Sequence, residues 1–164
     1  MNTNEQTIFR LYSAFADLDA ATMASCYAED ALFDDPAFSL KGRAEIAGMW
    51  RMLCEATQAK GRKDWRLVFN DIAAGNDSGH VQWQAHYRFI ASGRLVHNTI
   101  EADFTFTPEG LISTHKDTFN FWRWSVQALG IPGFVLGWTP WFNRQVRQQA
   151  SANLQKYLAA NPAS

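Results

Sequence analysis

Leu111-Ile-Ser-Thr-His115-Lys-Asp117-Thr-Phe119-Asn-Phe121 is the stretch whose reading decides the fold. β-Branched and aromatic residues alternate here with polar ones at period two, the pattern of a strand with one buried face. One parity carries Leu111, Ser113, His115, Asp117, Phe119 and Phe121. The other carries Ile112, Thr114, Lys116, Thr118, Asn120 and Trp122. The first set mixes a histidine and a carboxylate with apolar side chains. Either that face is wet, or it lines a pocket in which an acid and a base stand together.

The turns before this stretch set its register. Thr107-Pro-Glu-Gly110 suits a four-residue loop built on a type I turn, and Ser92-Gly93 a two-residue hairpin turn. They join strands expected over His80–Ala91, Arg94–Phe106 and Leu111–Phe121, with an earlier strand over Trp65–Ile72 and a loop over Gly75–Gly79. In this register Phe89 faces Val96, Tyr87 faces Asn98, Ala85 faces Ile100, His115 faces Ala102 and Asp117 faces Ile100. One sheet face then reads Val81, Trp83, Ala85, Tyr87, Phe89, Val96, Asn98, Ile100, Ala102, Phe104, Ser113, His115, Asp117 and Phe119. The opposite face carries Gln82, Gln84, His86, Arg88, His97, Thr99, Glu101, Asp103, Thr114, Lys116 and Thr118. His115 and Asp117 thus fall on the apolar side, next to the small Ala85 and Ala102.

Toward the N-terminus, Thr3 with Gln6 reads as a capping box, and Ile8, Leu11, Tyr12 and Phe15 form a stripe at helical spacing. Asp19 caps a short second helix with Met23, Cys26 and Tyr27 inward, ending near Glu29-Asp30. Ala31–Pro36 is extended, because Pro36 keeps Asp35 out of the helical region. Gly42 opens a third helix with Ile46, Met49, Trp50, Leu53 and Cys54 buried. After Phe121, Trp122–Leu129 makes a helical turn or two, Gly130-Ile-Pro-Gly133 breaks it, and Phe134–Trp138 is a short apolar segment. Thr139 and Pro140 open a last helix with the stripe Phe142, Val146, Ala150, Leu154, Tyr157 and Leu158. Asn161-Pro-Ala-Ser164 is expected to fray.

A chain of 164 residues predicts one domain. Its net charge of −1, with acids and bases interspersed, argues against nucleic acid as a partner. Cys26 and Cys54 sit in apolar helical contexts and read as reduced core residues. The start lacks the regions of a signal peptide, and no apolar run is long enough for a stable membrane span, so a soluble cytoplasmic protein is expected. There is no Gly-rich phosphate loop and no nucleophile elbow. His80, His86 and His97 lie on the polar face without metal-ligand spacing, His86 and His97 being diagonal neighbours at best. Neither a metal nor a cofactor is expected.

Two or three helices, a further helix and then a curved antiparallel sheet form an order that resembles the nuclear transport factor 2-like superfamily. The nearest branches are the SnoaL-like and ketosteroid-isomerase-like ones. Tyr27-Ala-Glu-Asp-Ala31, Asp34-Asp35-Pro36, Gly42-Arg43-Ala-Glu-Ile46 and the Gly110-Leu-Ile112 turn carry the resemblance, which spans about Thr3 to Phe121. It implies an α+β fold of the cystatin-like kind, a cone whose sheet wraps the N-terminal helices and encloses an apolar pocket. Residues 1–121 would form this pocket domain, and residues 122–164 an aromatic helical extension packed on it. It also implies a homodimer through the outer sheet face, where the alternative is a solvated face. In ketosteroid isomerases the Asp before the Pro is the catalytic base, which falls on Asp35. Their oxyanion tyrosine falls on Leu11, one place from Tyr12, and their protonated aspartate on Ala102, so both departures count against steroid isomerisation. Scytalone dehydratase, on the same fold, pairs a His with an Asp.

Asp35, His115 and Asp117 are therefore the candidate catalytic set. Asp35 in an apolar cavity would be a base near neutral pH, or else a cap of the turn at Pro36. His115 would be an acid or proton shuttle oriented by Asp117, or a core histidine satisfied by its neighbours. Asp117 could equally satisfy an arginine or a buried hydroxyl. Tyr12, Phe15, Phe33, Trp50, Trp83, Tyr87, Asn98, Ala102 and Phe119 would line the site and take a small apolar molecule. The reaction would be an isomerisation, dehydration, cyclisation or water addition, and the rival readings are a non-catalytic carrier or an interaction module. The aromatics of Trp122–Trp141 either roof the pocket or form an apolar patch, rimmed by Arg123, Arg144 and Arg147, for a partner or membrane surface.

Overall fold

The computed structural model describes residues 1–162. The elements run α1 (Thr3–Asp17), α2 (Ala20–Ala24), β1 (Tyr27–Asp34), β2 (Ser39–Lys41), α3 (Arg43–Lys60), β3 (Arg66–Ala74), β4 (Ser78–Arg88), β5 (Leu95–Phe106), β6 (Ile112–Thr118), α4 (Phe121–Leu129), α5 (Ile131–Leu136) and α6 (Pro140–Ala160). Six strands form one sheet in the order β2-β1-β6-β5-β4-β3. All pairs are antiparallel except β1 with β6, which is parallel. This corrects a purely antiparallel sheet and moves Cys26 and Tyr27. Helix α2 ends at Ala24, and Tyr27 opens β1, paired with Ile112.

The α1 stripe is buried as its spacing demands, with Ile8, Leu11, Tyr12 and Phe15 all in the core. The capping box, however, is Asn2 with Glu5, one residue before the expected Thr3 and Gln6. Asn2 Oδ1 accepts from the Glu5 N–H at 2.8 Å, and Glu5 Oε2 accepts from the Asn2 N–H at 2.9 Å. Both registers fit the cap pattern. The tertiary bond from Asn2 Nδ2 to the Ala74 carbonyl, 2.7 Å, favours the earlier one.

Both hairpins shift by two residues from the expected register. The first loop spans Ile90–Gly93, closed by Phe89 and Arg94 (N–H to O, 2.8 Å), so Tyr87 faces Val96, Ala85 faces Asn98 and Trp83 faces Ile100. His86 and His97 become direct partners rather than diagonal ones, with rings stacked 3.8 Å apart. In the second hairpin, Gly110 closes the turn to Thr107 at 2.9 Å with φ +79°, which a side chain would strain. Thr107 then pairs with Leu111 through an N–H to O bond of 2.8 Å, which moves the register by one. Ser113 is an unpaired bulge between Ile112 and Thr114 and moves it by one more. The two single steps restore the parity beyond Ser113. His115 therefore faces Phe104 and Asp117 faces Ala102, in place of the expected Ala102 and Ile100. Between the two steps parity is inverted. Ile112 is fully buried, and Ser113 turns outward to bond the Thr105 hydroxyl at 2.7 Å.

The extension packs on the rest through α6 against α3. Leu154 joins the main core, and Leu158 closes on Gly48. Gly130 separates α4 from α5, but Ile131-Pro-Gly133 forms the first turn of α5 rather than a break. Of the Asn161–Ser164 end, Ala163 and Ser164 lie outside the described residues. At Gly133 a Cβ would lie 1.9 Å from the Ser125 carbonyl oxygen, a backbone atom that cannot yield alone. Gly133→Ala should therefore prise α5 from α4 and lower stability by about 1–3 kcal/mol. Gly75→Ala, with nothing within 4 Å, is the neutral control in the same thermal melts.

Candidate functional site

A cavity of about 460 Å³ lies between the concave sheet, α3 and the C-terminal helices. Its wall is overwhelmingly apolar. Phe15, Phe33, Trp50, Trp83, Tyr87, Asn98 and Phe119 stand on it as expected, with Asp35 and Asp117. Helix α3 adds Met49, Met52, Leu53 and Thr57. The C-terminal extension supplies the far wall, with Trp124 and Leu129 from α4, in and beside the stretch read as a roof, and Val146, Gln149, Ala150 and Asn153 from α6, which sequence reasoning did not place on the cavity. The α6 stripe at helical spacing was the only signal there, and that stripe does not say whether it meets core or cavity.

Three of the expected lining or catalytic residues stand behind the wall. Ala102 is fully buried beneath Asp117 in the register. Tyr12 packs its ring 5.4 Å from that of Trp83 and between Phe69 and Phe104. Its hydroxyl has no partner among the described residues, and burial first, then the charge of Asp117, holds its pKa well above the ordinary value. His115 is also enclosed, with its ring 4.4 Å from Phe104 and 4.9 Å from Phe33.

Both ring nitrogens of His115 are committed. Nδ1 lies 2.7 Å from the Tyr27 hydroxyl, and Nε2 lies 2.9 Å from Asp117 Oδ1. The Trp50 indole N–H donates to the same Tyr27 oxygen at 3.2 Å. An indole can only donate, so Tyr27 accepts there and has its own proton left for Nδ1. With the Tyr27 hydroxyl donating to Nδ1, His115 donates from Nε2 and Asp117 accepts. A one-way chain runs Trp50, Tyr27, His115, Asp117. Burial raises the Tyr27 pKa well above its ordinary value, which keeps that proton in place. Tyr27 had been read as a helical core residue, and only its parallel pairing with Ile112 aims it at His115.

Asp35 both caps the turn and faces the cavity. Its Oδ1 accepts from the N–H groups of Ala37 at 2.6 Å and Phe38 at 2.5 Å, as Pro36 dictates. Burial pushes its pKa up to about 7 against these two bonds, with the charge of Asp117 adding to the rise. Arg147 of α6 clips the same turn, donating to the Asp35 carbonyl at 2.7 Å and to Asp34 Oδ1 at 3.3 Å. Asp34 is half-exposed, pointing away from the cavity wall. Tyr87 accepts from the Trp124 indole N–H at 2.8 Å, which leaves its own proton unclaimed. Burial pushes the Tyr87 pKa up to about 12, so it stays a donor at neutral pH.

Solved structures share this architecture at low identity. An LEH-like epoxide hydrolase from M. tuberculosis superposes with a TM-score of 0.63 and 15% identity over 82% of this chain and 96% of that one. A putative polyketide cyclase from Pseudomonas putida KT2440 gives 0.60 and 18%, covering 77% and 98%. A hypothetical protein with a ketosteroid isomerase-like fold from Catenulispora acidiphila, in complex with trimethylamine, gives 0.62 and 15%, covering 82% and 97%. At such identities the likeness is one of fold, and it places this chain in the nuclear transport factor 2-like, ketosteroid isomerase-like architecture. No curated protein sequence matches the chain. The family model for the SnoaL-like domain matches residues 8–115, which run from the α1 stripe to the buried histidine of β6, and the chain belongs to that family.

Proposed function

We propose that this protein is a cofactor-independent enzyme that isomerises, dehydrates or cyclises a small, mostly apolar organic molecule, with Asp35 as its base. The feature that carries the reading is the Asp35 carboxyl on the wall of an apolar cavity, where burial pushes its pKa up to about 7. A group poised there can take a proton from carbon or hydroxyl and return it without a large penalty either way. Oδ1 is held by two main-chain N–H groups, so Oδ2 is the oxygen that moves the proton. Tyr87, oriented by Trp124, donates a hydrogen bond to the oxygen on which charge develops. Asp117 anchors a polar group of the ligand, and His115 acts through Asp117 as a positioning residue.

The deciding experiment measures binding and turnover of one cavity ligand by wild type and Asp35→Asn. Binding retained with turnover lost supports the reading. A ligand bound by both proteins and recovered unchanged from wild type makes the protein a carrier instead. Tyr87→Phe should keep the cavity's shape while lowering kcat about 10–100-fold with little change in KM, the loss of one donor to a developing charge. An unchanged kcat would remove Tyr87 from the mechanism.

A further inference from the structure

The extension splits its aromatics between two destinations. Trp124 goes to the cavity and packs with Phe89 and Phe121, whereas α5 and its flanks turn outward. Trp122, Ile131, Phe134, Val135, Trp138 and Trp141 are each 40–80% exposed. Trp122, Phe134 and Trp138 stand together. The Trp122 and Phe134 rings are 5.9 Å apart, and Trp122, Trp138 and Arg144 share one shallow cleft of about 450 Å³. The indole N–H groups of Trp122 and Trp138 donate to the Phe134 and Val135 carbonyls at 3.1 and 2.9 Å. These rings therefore carry no unpaired donor into an apolar phase.

Charge separates this tip from the rest of the molecule. The 47 residues from Thr118 to Ser164 hold four basic side chains and no acidic one, while the residues before them sum to −5. Arg123 and Arg144 are exposed and enter no ion pair among the described residues. A second copy meeting this patch about a two-fold axis would bring two acid-free positive tips together. A bilayer with anionic headgroups answers both features, taking the aromatics at its interface and the arginines at its phosphates. No helix among the described residues is long and apolar enough to cross a membrane, which makes the contact one of lying on the surface.

We propose that the α5 tip, with Trp122 and Trp141 beside it, docks this protein on the surface of an anionic lipid bilayer. The full chain is sedimented with vesicles of phosphatidylcholine alone and of phosphatidylcholine mixed with phosphatidylglycerol. Association should be about tenfold or more tighter on the anionic vesicles, weaken with salt, and be accompanied by a blue shift of tryptophan emission. The double variant Phe134→Ser, Trp138→Ser should lose about tenfold or more of that association with its thermal unfolding unchanged, because both side chains already face water. Failure to associate with either vesicle overturns the proposal. So does equal association with both, or a wild-type dimer in sedimentation velocity that the double variant dissociates.

Discussion

Asp35→Asn is expected to lose about 10²–10⁴-fold in turnover while binding ligand as wild type does, and to become the more stable protein at alkaline pH. The first effect follows from removing the wall carboxyl whose pKa burial pushes up to about 7. Wild-type kcat/KM should accordingly rise with pH and level off above about 7, as Asp35 gives up its proton. The second effect follows from linkage. The carboxyl binds its proton more tightly in the folded state, at about 7, than at its ordinary 3.8. Its contribution to stability is therefore fully present below about pH 4 and is lost as pH rises through about 7, a change of up to about 4 kcal/mol. Asparagine does not titrate, and its Oδ1 can keep both bonds to Ala37 and Phe38. Urea denaturation near pH 4 and near pH 8 should show the variant gaining on wild type only at the higher pH. A constant difference between the two would mean that Asp35 does not hold a proton in the cavity, and the catalytic assignment would fall with it.

His115→Ala is expected to destabilise the fold by about 3–5 kcal/mol before it says anything about chemistry. The imidazole has no exposed surface, and its removal would leave a void among Phe33, Trp50 and Phe104. It would also strand two buried partners, the Tyr27 hydroxyl and the Asp117 carboxyl, each deprived of its hydrogen bond. Chemical denaturation reads this directly. A loss below about 1 kcal/mol would mean that His115 is not the keystone of the chain from Trp50 to Asp117. Tyr27→Phe is the milder companion. It keeps the ring volume but takes one donor from His115 and one acceptor from Trp50, for about 1–3 kcal/mol.

The contrast between Asp35 and His115 shows how far local sequence reached. The resemblance to ketosteroid isomerases put Asp35 in the cavity, while a single dipeptide gave its backbone, because a residue before proline is confined to extended backbone and its side chain caps the turn that follows. That confinement is covalent and needs no tertiary information. His115 and Asp117 were assigned to the buried face from period two, and they lie there. Yet the pairing register was off by two in both hairpins, and the assignment survived because the strand period is also two. At Ser113 that protection failed, and Ile112 and Ser113 exchanged the faces expected of them. A bulge is set by how one strand twists against its neighbour, which no alternation pattern records.

Alternation of apolar and polar residues, helical stripes, caps and the proline turn are properties of a few neighbouring residues. They were enough to determine the mixed α+β class, the strands β3 to β6 and the polar and apolar faces of the sheet, while the carboxylate in an enclosed space rested on the family resemblance. Depth inside that space was not legible. Whether a polar side chain touches the cavity or hides behind its wall depends on the parallel seam between β1 and β6, which turns Tyr27 onto His115, and on α6 returning across α3 to supply the far wall. Both contacts join segments far apart along the chain, and their geometry follows from packing the whole core at once. The tertiary structure therefore decided that Asp35, Asp117 and Tyr87 meet the cavity, that His115 lies behind its wall, and that half of the C-terminal aromatics turn outward.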